Sequence, residues 1–128
     1  LDAAGLGQPS DMQGVSLVPL FKGETENFRD AVYYHYYEYP SVHMVKRHYG
    51  IVTEDYKLAH FYYDVDEWEL YDRKKDPMEL TNVYEDPSYE KVKEELHSKL
   101  EDLRVKYNDS DSLNQHYIEM YKEKGFIQ

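Results

Sequence analysis

The chain has 128 residues, no cysteine and a formal net charge of −11. This length allows one domain with one modest core. The acidic balance argues against nonspecific nucleic-acid binding, because like charges repel at long range. The lack of cysteine excludes disulfides, zinc–thiolate sites and a cysteine nucleophile. No apolar run approaches the roughly 20 residues of a membrane span, so we expect no membrane partner.

Residues 1–29 have the pattern of a connector. The first residue is Leu1 rather than Met, and Gly5 follows a short apolar turn in the way that is typical of a helix end. We therefore expect the sequence to begin inside a longer protein. Pro9 and Gly14 then interrupt regular structure.

Residues 30–109 have the pattern of an α+β domain. Four segments rich in β-favouring residues follow one another with short connections, which favours an antiparallel meander. The first segment stops at Pro40, and Glu54-Asp55 is typical of a hairpin turn. The predicted strands are 31–39, 42–53, 56–63 and 68–72.

A long helix is predicted after the strands. Asp86-Pro87 is typical of a helix start, with Asp as N-cap and Pro at the first helical position. An apolar stripe follows at helical spacing: Tyr89, Val92, Leu96, Leu100, Leu103 and Tyr107. We predict a four-stranded antiparallel sheet with this one long C-terminal helix packed on one face. Residues 110–128 form a C-terminal extension, with at most one or two helical turns expected around 116–121.

Three short stretches resemble a known family. They are 10–20, then 48–58 with its Tyr56-Lys57-Leu58, then Leu70-Tyr71-Asp72 followed by Asp76-Pro77-Met78-Glu79 and Asn82. In this order they resemble the C-terminal region of type I sulfatases, within the alkaline phosphatase superfamily, especially bacterial enzymes acting on sulfated carbohydrates. The resemblance covers about residues 1–108. It departs at Val52, where the family usually has Arg, and at Asp55, where a basic residue is common; two possible bidentate contacts are thereby lost.

The resemblance implies a parent sulfuric ester hydrolase, periplasmic or secreted, with a catalytic domain upstream of this chain. In that family a formylglycine, made in a Cys/Ser-x-Pro-x-Arg motif, attacks the sulfate, and calcium polarises it. This sequence contains no such motif. We therefore expect no catalytic residue and no cofactor in this chain, calcium in the missing catalytic domain, and no hydrolysis by the chain alone.

His43, Arg47 and His48 are the candidate substrate-binding residues. The resemblance implies that the first hairpin of the sheet reaches the rim of the pocket, where imidazole and guanidinium can donate to sugar hydroxyls or a second sulfate. Strand alternation places His43 and Arg47 on one face and His48 on the other, so only a bulge brings them to one ligand. The alternative is that all three pair with nearby acids.

The tyrosines and histidines allow other interpretations. The aromatic run at 33–37 suggests that the sheet face away from the helix is aromatic and packs on the catalytic domain. The six histidines include no compact ligand pair, so we predict no metal site. Two alternative functions stay open: a stand-alone carbohydrate- or protein-binding module, and a fragment of a related phosphotransferase or phosphodiesterase.

Overall fold

The structure is a computed structural model, and it describes residues 1–24, 26, 28–40 and 42–127. The chain falls into two compact units, Leu1–Asp30 and Ala31–Gln128. The first contains a 3-10 turn, Asp2–Ala4, and a short helix α1, Val18–Phe21. Gly5 ends the 3-10 turn in the left-handed conformation expected of a helix end, at φ +70°. The interpretation of this unit as a connector stays a prediction.

The second unit is built on a four-stranded antiparallel sheet. Its strands are β1 (Ala31–Tyr36), β2 (His48–Thr53), β3 (Tyr56–Phe61) and β4 (Glu67–Asp72). They lie in the order β1-β2-β3-β4, each hydrogen-bonded to the next in sequence. The predicted meander is confirmed.

The predicted ends of the first two strands are wrong. β1 ends at Tyr36 and β2 begins only at His48, so the predicted strand 42–53 loses its first half. The described residues between them, 37–40 and 42–47, belong to no strand. Met44 adopts a left-handed backbone conformation at φ +52°, which an extended strand cannot contain.

One face of the sheet carries the core. Ile51, Leu58 and Leu70 point to this face and are completely buried. They form one cluster with Leu96 and Leu100 of helix α2 (Glu90–Lys106), so the predicted helix on one face is confirmed. A single 3-10 turn, Pro87–Tyr89, precedes α2, and the Asp86 carboxylate caps it by accepting from the Ser88 amide at 2.9 Å.

A second helix packs on the core. Helix α3 spans Asp111–Glu123, which is longer than the one or two turns predicted. Ser110 caps it by accepting from the Leu113 amide at 3.2 Å. Ile118 is buried in the same cluster as the residues of α2. The missed signal is the spacing of Asn114, Ile118 and Tyr121, which places them on one side of a helix.

The segment after β4 is fixed by side-chain hydrogen bonds to backbone. The Asn82 Oδ1 accepts from the amides of Leu70, at 2.9 Å, and Tyr84, at 3.0 Å, while its Nδ2 donates to the Trp68 carbonyl at 3.0 Å. The Asp76 carboxylate likewise accepts from backbone amides of the following turn. Asp76 and Asn82 of the family motif are therefore structural here.

Candidate functional site

The sheet face that points away from the core is rich in aromatic rings. We call it the outward face; its aromatic members are Tyr34, Tyr36, His48, Phe61 and Tyr71. The His48 ring stacks on Phe61 with centroids 4.8 Å apart and meets Tyr34 edge-on at 5.6 Å. The aromatic face predicted from the sequence is present.

Tyr34 lies flat against the strand beside it because that strand has a glycine. The register places Tyr34 opposite Gly50, and the phenol ring covers the space that a side chain of Gly50 would fill. Burial raises the pKa of Tyr34 to about 12. Its hydroxyl has no hydrogen-bond partner among the described residues. The ring therefore stiffens the outward face and stays neutral at physiological pH.

A cavity of about 340 Å³ opens on the outward face beside these rings. On its charged side, Glu79 holds both nearby cations: Lys57 Nζ lies 2.6 Å from Glu79 Oε2, and Arg73 Nε lies 3.2 Å from Glu79 Oε1. Val52 lines the same cavity. An apolar side chain therefore stands in the wall at the position where the resemblance noted in the sequence leads us to expect Arg.

Glu79 directs its carboxylate across the outward face. Its backbone has φ +53°, a strained conformation for a residue with a side chain. This conformation accompanies the ion pairs to Lys57 and Arg73.

The loop between β1 and β2 is closed by one buried side chain. We call the stretch from Tyr39 to Arg47 the 39–47 loop; Ser41 within it lies outside the described residues. The Arg47 side chain is only 1% exposed, and its Nη1 donates to the Asp64 carboxylate at 2.7 Å. Its Nη2 donates to the Tyr39 carbonyl. One guanidinium thus joins both ends of the loop.

Three tyrosine rings surround this guanidinium, and we call them the tyrosine cage. The centroids of Tyr39, Tyr63 and Tyr121 lie 5.7, 5.5 and 5.4 Å from the Arg47 Cζ. At these distances each ring can attract the cation. The partners come from three parts of the chain, because Tyr121 belongs to α3 and Tyr63 follows β3.

The three candidate substrate-binding residues have different surroundings. His43 is exposed in the middle of the 39–47 loop, and Arg47 is buried within the tyrosine cage. His48 opens β2 on the outward face, where its Nδ1–H donates to the Lys46 carbonyl at 2.8 Å. Since that bond fixes the tautomer, Nε2 is the acceptor of the neutral ring. No contact joins these side chains, and their roles in substrate binding stay predictions.

A buried polar network on the core face was not foreseen from the sequence. His35 Nδ1 lies 2.5 Å from Asp109 Oδ2, its Nε2 lies 2.7 Å from the Tyr62 hydroxyl, and Tyr33 also donates to Asp109. Burial favours the neutral acid, yet hydrogen bonds from His35 and Tyr33 hold the pKa of Asp109 below its ordinary value. His35 and Asp109 are almost completely buried, so the network ties β1 to the chain after α2.

The described part of the chain lacks two kinds of feature. Within it, no group of three or more histidine, aspartate and glutamate side chains is arranged to hold a metal ion. None of the helices in the same part of the chain has the length and apolar character needed to cross a membrane.

The sequence is similar to curated and solved hydrolases. Over 114 residues it is 52% identical to an N-acetylglucosamine-6-O-sulfatase of Bacteroides thetaiotaomicron, covering 87% of this chain but 20% of that protein. The chain thus spans about a fifth of the length of this relative. A solved structure of a protein in complex with its substrate D-glucosamine-2-N,6-O-disulfate aligns with a TM-score of 0.82 and 51% identity, over 86% of this chain and 23% of the other.

A more distant structure widens the range of chemistry among the relatives. The phosphonate monoester hydrolase of Agrobacterium radiobacter aligns over 73% of this chain and 20% of its own, with a TM-score of 0.57 and 33% identity. Residues 1–106 match the family model described as N-sulphoglucosamine sulphohydrolase, C-terminal. The chain belongs to this sulfatase C-terminal family.

Proposed function

We propose that the chain is the C-terminal part of a hydrolase that cleaves sulfate esters of carbohydrates. The observation that carries the proposal is the 52% identity to an N-acetylglucosamine-6-O-sulfatase. The sequence has no Cys/Ser-x-Pro-x-Arg motif, so the nucleophile belongs to another part of the same polypeptide. The role of this chain is then to shape substrate entry and to stabilise the catalytic part.

The catalytic part of the same polypeptide is the proposed partner of the outward face. Aromatic rings lie on this face, and both of its cavity cations, Lys57 and Arg73, form ion pairs with Glu79. Because each of these cations already has an ion-pair partner, burying this face costs less than burying unpaired charges would. The relatives' lengths leave room for this partner, since the chain covers only about a fifth of them.

Substrate contact is assigned to the 39–47 loop and the start of β2. His43 is exposed on the loop, and its imidazole can donate to a sugar hydroxyl or a sulfate oxygen. His48 lines the outward-face cavity, and Nε2 is the ring nitrogen that is not used in its bond to the Lys46 carbonyl. Arg47 acts differently, because its guanidinium is occupied by Asp64 and Tyr39. We assign it to closing the loop that carries His43.

The proposal also includes the metal ion and the cellular location of the whole protein. The metal that related sulfatases use would lie in the catalytic part, since the described residues of this chain offer no cluster of ligands. Calcium would polarise the sulfate there, and no residue of this chain is assigned to it. A periplasmic or secreted location is proposed for the whole protein from the family resemblance.

A second candidate reaction is the hydrolysis of phosphonate or phosphate esters. It is favoured by the 33% identity to the phosphonate monoester hydrolase. The two reactions share a tetrahedral, negatively charged group, so this chain's contacts alone do not separate them.

One experiment distinguishes these functions. The full-length protein is incubated with N-acetylglucosamine 6-sulfate and, separately, with a phosphonate monoester, and the release of sulfate or of the alcohol is measured. Release of sulfate at the higher kcat/KM supports the proposal. Faster cleavage of the phosphonate ester supports the second candidate, and cleavage of neither contradicts both. Residues 1–128 alone serve as the control and should release nothing.

A further inference from the structure

Arg47 connects the 39–47 loop to helix α3 through Tyr121. The guanidinium lies 5.4 Å from the Tyr121 ring, donates to Asp64 and reaches the Tyr39 carbonyl. We propose that Tyr121 is a positioning residue for the 39–47 loop and that it acts through Arg47. This inference rests on the proposed function only where it predicts a change in KM.

The loop depends on Arg47 for its shape. It carries a left-handed residue, Met44, and its described residues belong to no strand, although the Arg47 carbonyl at its end accepts from the Tyr62 amide at 3.2 Å. Its ends are held together by the bond from Arg47 to the Tyr39 carbonyl. Lys46 adds a second hydrogen bond between the two ends of the loop, since its Nζ donates to the Tyr39 hydroxyl at 2.6 Å. The position of His43 between these ends therefore follows from how firmly the guanidinium is held.

The guanidinium is held from the side of α3. Burying a cation is costly unless anions, hydrogen-bond acceptors or aromatic rings replace the water around it. Asp64 supplies the anion that pairs with the Arg47 guanidinium, and the rings of the tyrosine cage lie around it. Tyr121 is the cage member that belongs to a helix anchored in the core, through Ile118 one turn before it. We therefore expect Tyr121 to be the most firmly positioned ring of the tyrosine cage.

Two further observations connect α3 to this region. Lys122, next to Tyr121, places its Nζ 5.5 Å from the centroid of Tyr63, another cage ring. The whole of α3 also lies beyond residue 106, where the match to the family model ends. The proposed positioning is thus a property of this chain's own extension rather than of the part that defines the family.

The test compares three single variants of the full-length protein. Tyr121→Leu removes the ring, and Tyr121→Phe keeps it. Tyr107→Leu is the matched control, because Tyr107 stacks on Tyr33 of β1 at 5.9 Å, outside the tyrosine cage. KM and kcat are measured for N-acetylglucosamine 6-sulfate. Trypsin cleavage after Lys46 is followed in the same samples, and it reports on the loop without requiring any enzymatic activity.

We expect Tyr121→Leu to raise KM by about fivefold with kcat within about twofold of the original, since a displaced loop weakens binding more than chemistry. Cleavage after Lys46 should accelerate about tenfold as the loop opens more often. Tyr121→Phe should match the unsubstituted protein in both. Tyr107→Leu should lower the melting temperature without moving KM or the cleavage rate.

A double variant tests the route through Arg47. Arg47→Lys alone should raise KM and the cleavage rate, and adding Tyr121→Leu to it should change neither further, because the two residues act as one unit. Additive effects would overturn the inference, as would Tyr121→Leu behaving like Tyr107→Leu. If no substrate is hydrolysed, the proposed function fails, and the cleavage rates alone still decide the positioning role.

Discussion

A methyl group placed on Gly50 would stand 2.7 Å from the hydroxyl oxygen of Tyr34, which lies opposite it on the neighbouring strand. It would stand even closer, 2.4 Å, to the carbonyl oxygen of Leu58. The second contact involves backbone and cannot relax by a rotamer change. The flat packing of Tyr34 on the outward face therefore depends on glycine at this position.

The substitution Gly50→Ala should destabilise the chain. Forcing a methyl group into this space should cost about 1–3 kcal/mol in the free energy of unfolding. Chemical denaturation measures it, with Gly7→Ala as control, since nothing lies within 4 Å of a methyl group there. Equal stability of the two variants would show that the strand pair is looser than described.

Asn82→Ala should destabilise the junction after β4. Asn82 satisfies the amides of Leu70 and Tyr84 and the Trp68 carbonyl, and the buried Leu70 amide would be left without an acceptor. The expected loss is about 1–3 kcal/mol. Thr81→Ala is a suitable control on the neighbouring exposed position. A loss no larger than that of the control would contradict the structural role given to Asn82.

Asp109 should make stability depend on pH in the acid range. Its folded pKa lies below the ordinary 3.8, so the charged form stabilises the fold fully above that value, and this contribution is lost as the pH falls through the folded pKa. Asp109→Asn should therefore cost most at pH 7 and progressively less below about pH 4. Denaturation of both proteins across this range measures the difference.

The control for this experiment is Asp102→Asn, on the exposed side of α2. Its effect on the free energy of unfolding should be small at every pH. A constant cost of Asp109→Asn from pH 7 to pH 3 would mean that the His35 contact does not depend on the charge of Asp109.

His43→Ala should weaken catalysis in the full-length enzyme. Loss of one hydrogen bond to a charged sulfate corresponds to a fall in kcat/KM of about tenfold or more. His48→Ala and Arg47→Ala belong to the same series, and His116→Ala removes an exposed imidazole on α3 as the control. Unchanged kcat/KM in the first three variants would end the proposal that this region contacts substrate.

Phe61→Lys should weaken the docking of the chain on the catalytic part. It puts a cation into the ring cluster with His48 on the outward face. When the two parts are produced as separate polypeptides, we expect the Kd between them to rise at least about tenfold, since a buried unpaired charge is costly. Val105→Lys, on exposed α2 surface, is the control. An equal Kd for both variants would place the contact elsewhere.

Much of the fold could be predicted from local patterns. The alternation in β2 and β3, the Glu54-Asp55 turn and the apolar stripe of α2 all depend on neighbours in sequence, and each corresponds to an observed element. The 39–47 loop was missed because its β-favouring residues are held in a loop by Arg47 and its distant partners. Tertiary contacts overrode local propensity there.

The candidate site was harder to predict because its contacts are distant in sequence. Arg47 meets Tyr121, and His35 meets Asp109, across 74 residues in each case. No spacing rule connects such positions. The aromatic outward face was predictable, since alternation alone assigns its residues. The presence of Val52 where the resemblance predicts Arg was visible in the sequence, but only the structure places Val52 in a cavity wall.

The release of sulfate by the full-length protein tests the proposed function most directly. With N-acetylglucosamine 6-sulfate as substrate, ion chromatography should detect inorganic sulfate in proportion to enzyme and time, with a kcat/KM above that for a phosphonate monoester. No sulfate release under conditions in which the phosphonate monoester is cleaved would show that the protein is not a carbohydrate sulfatase.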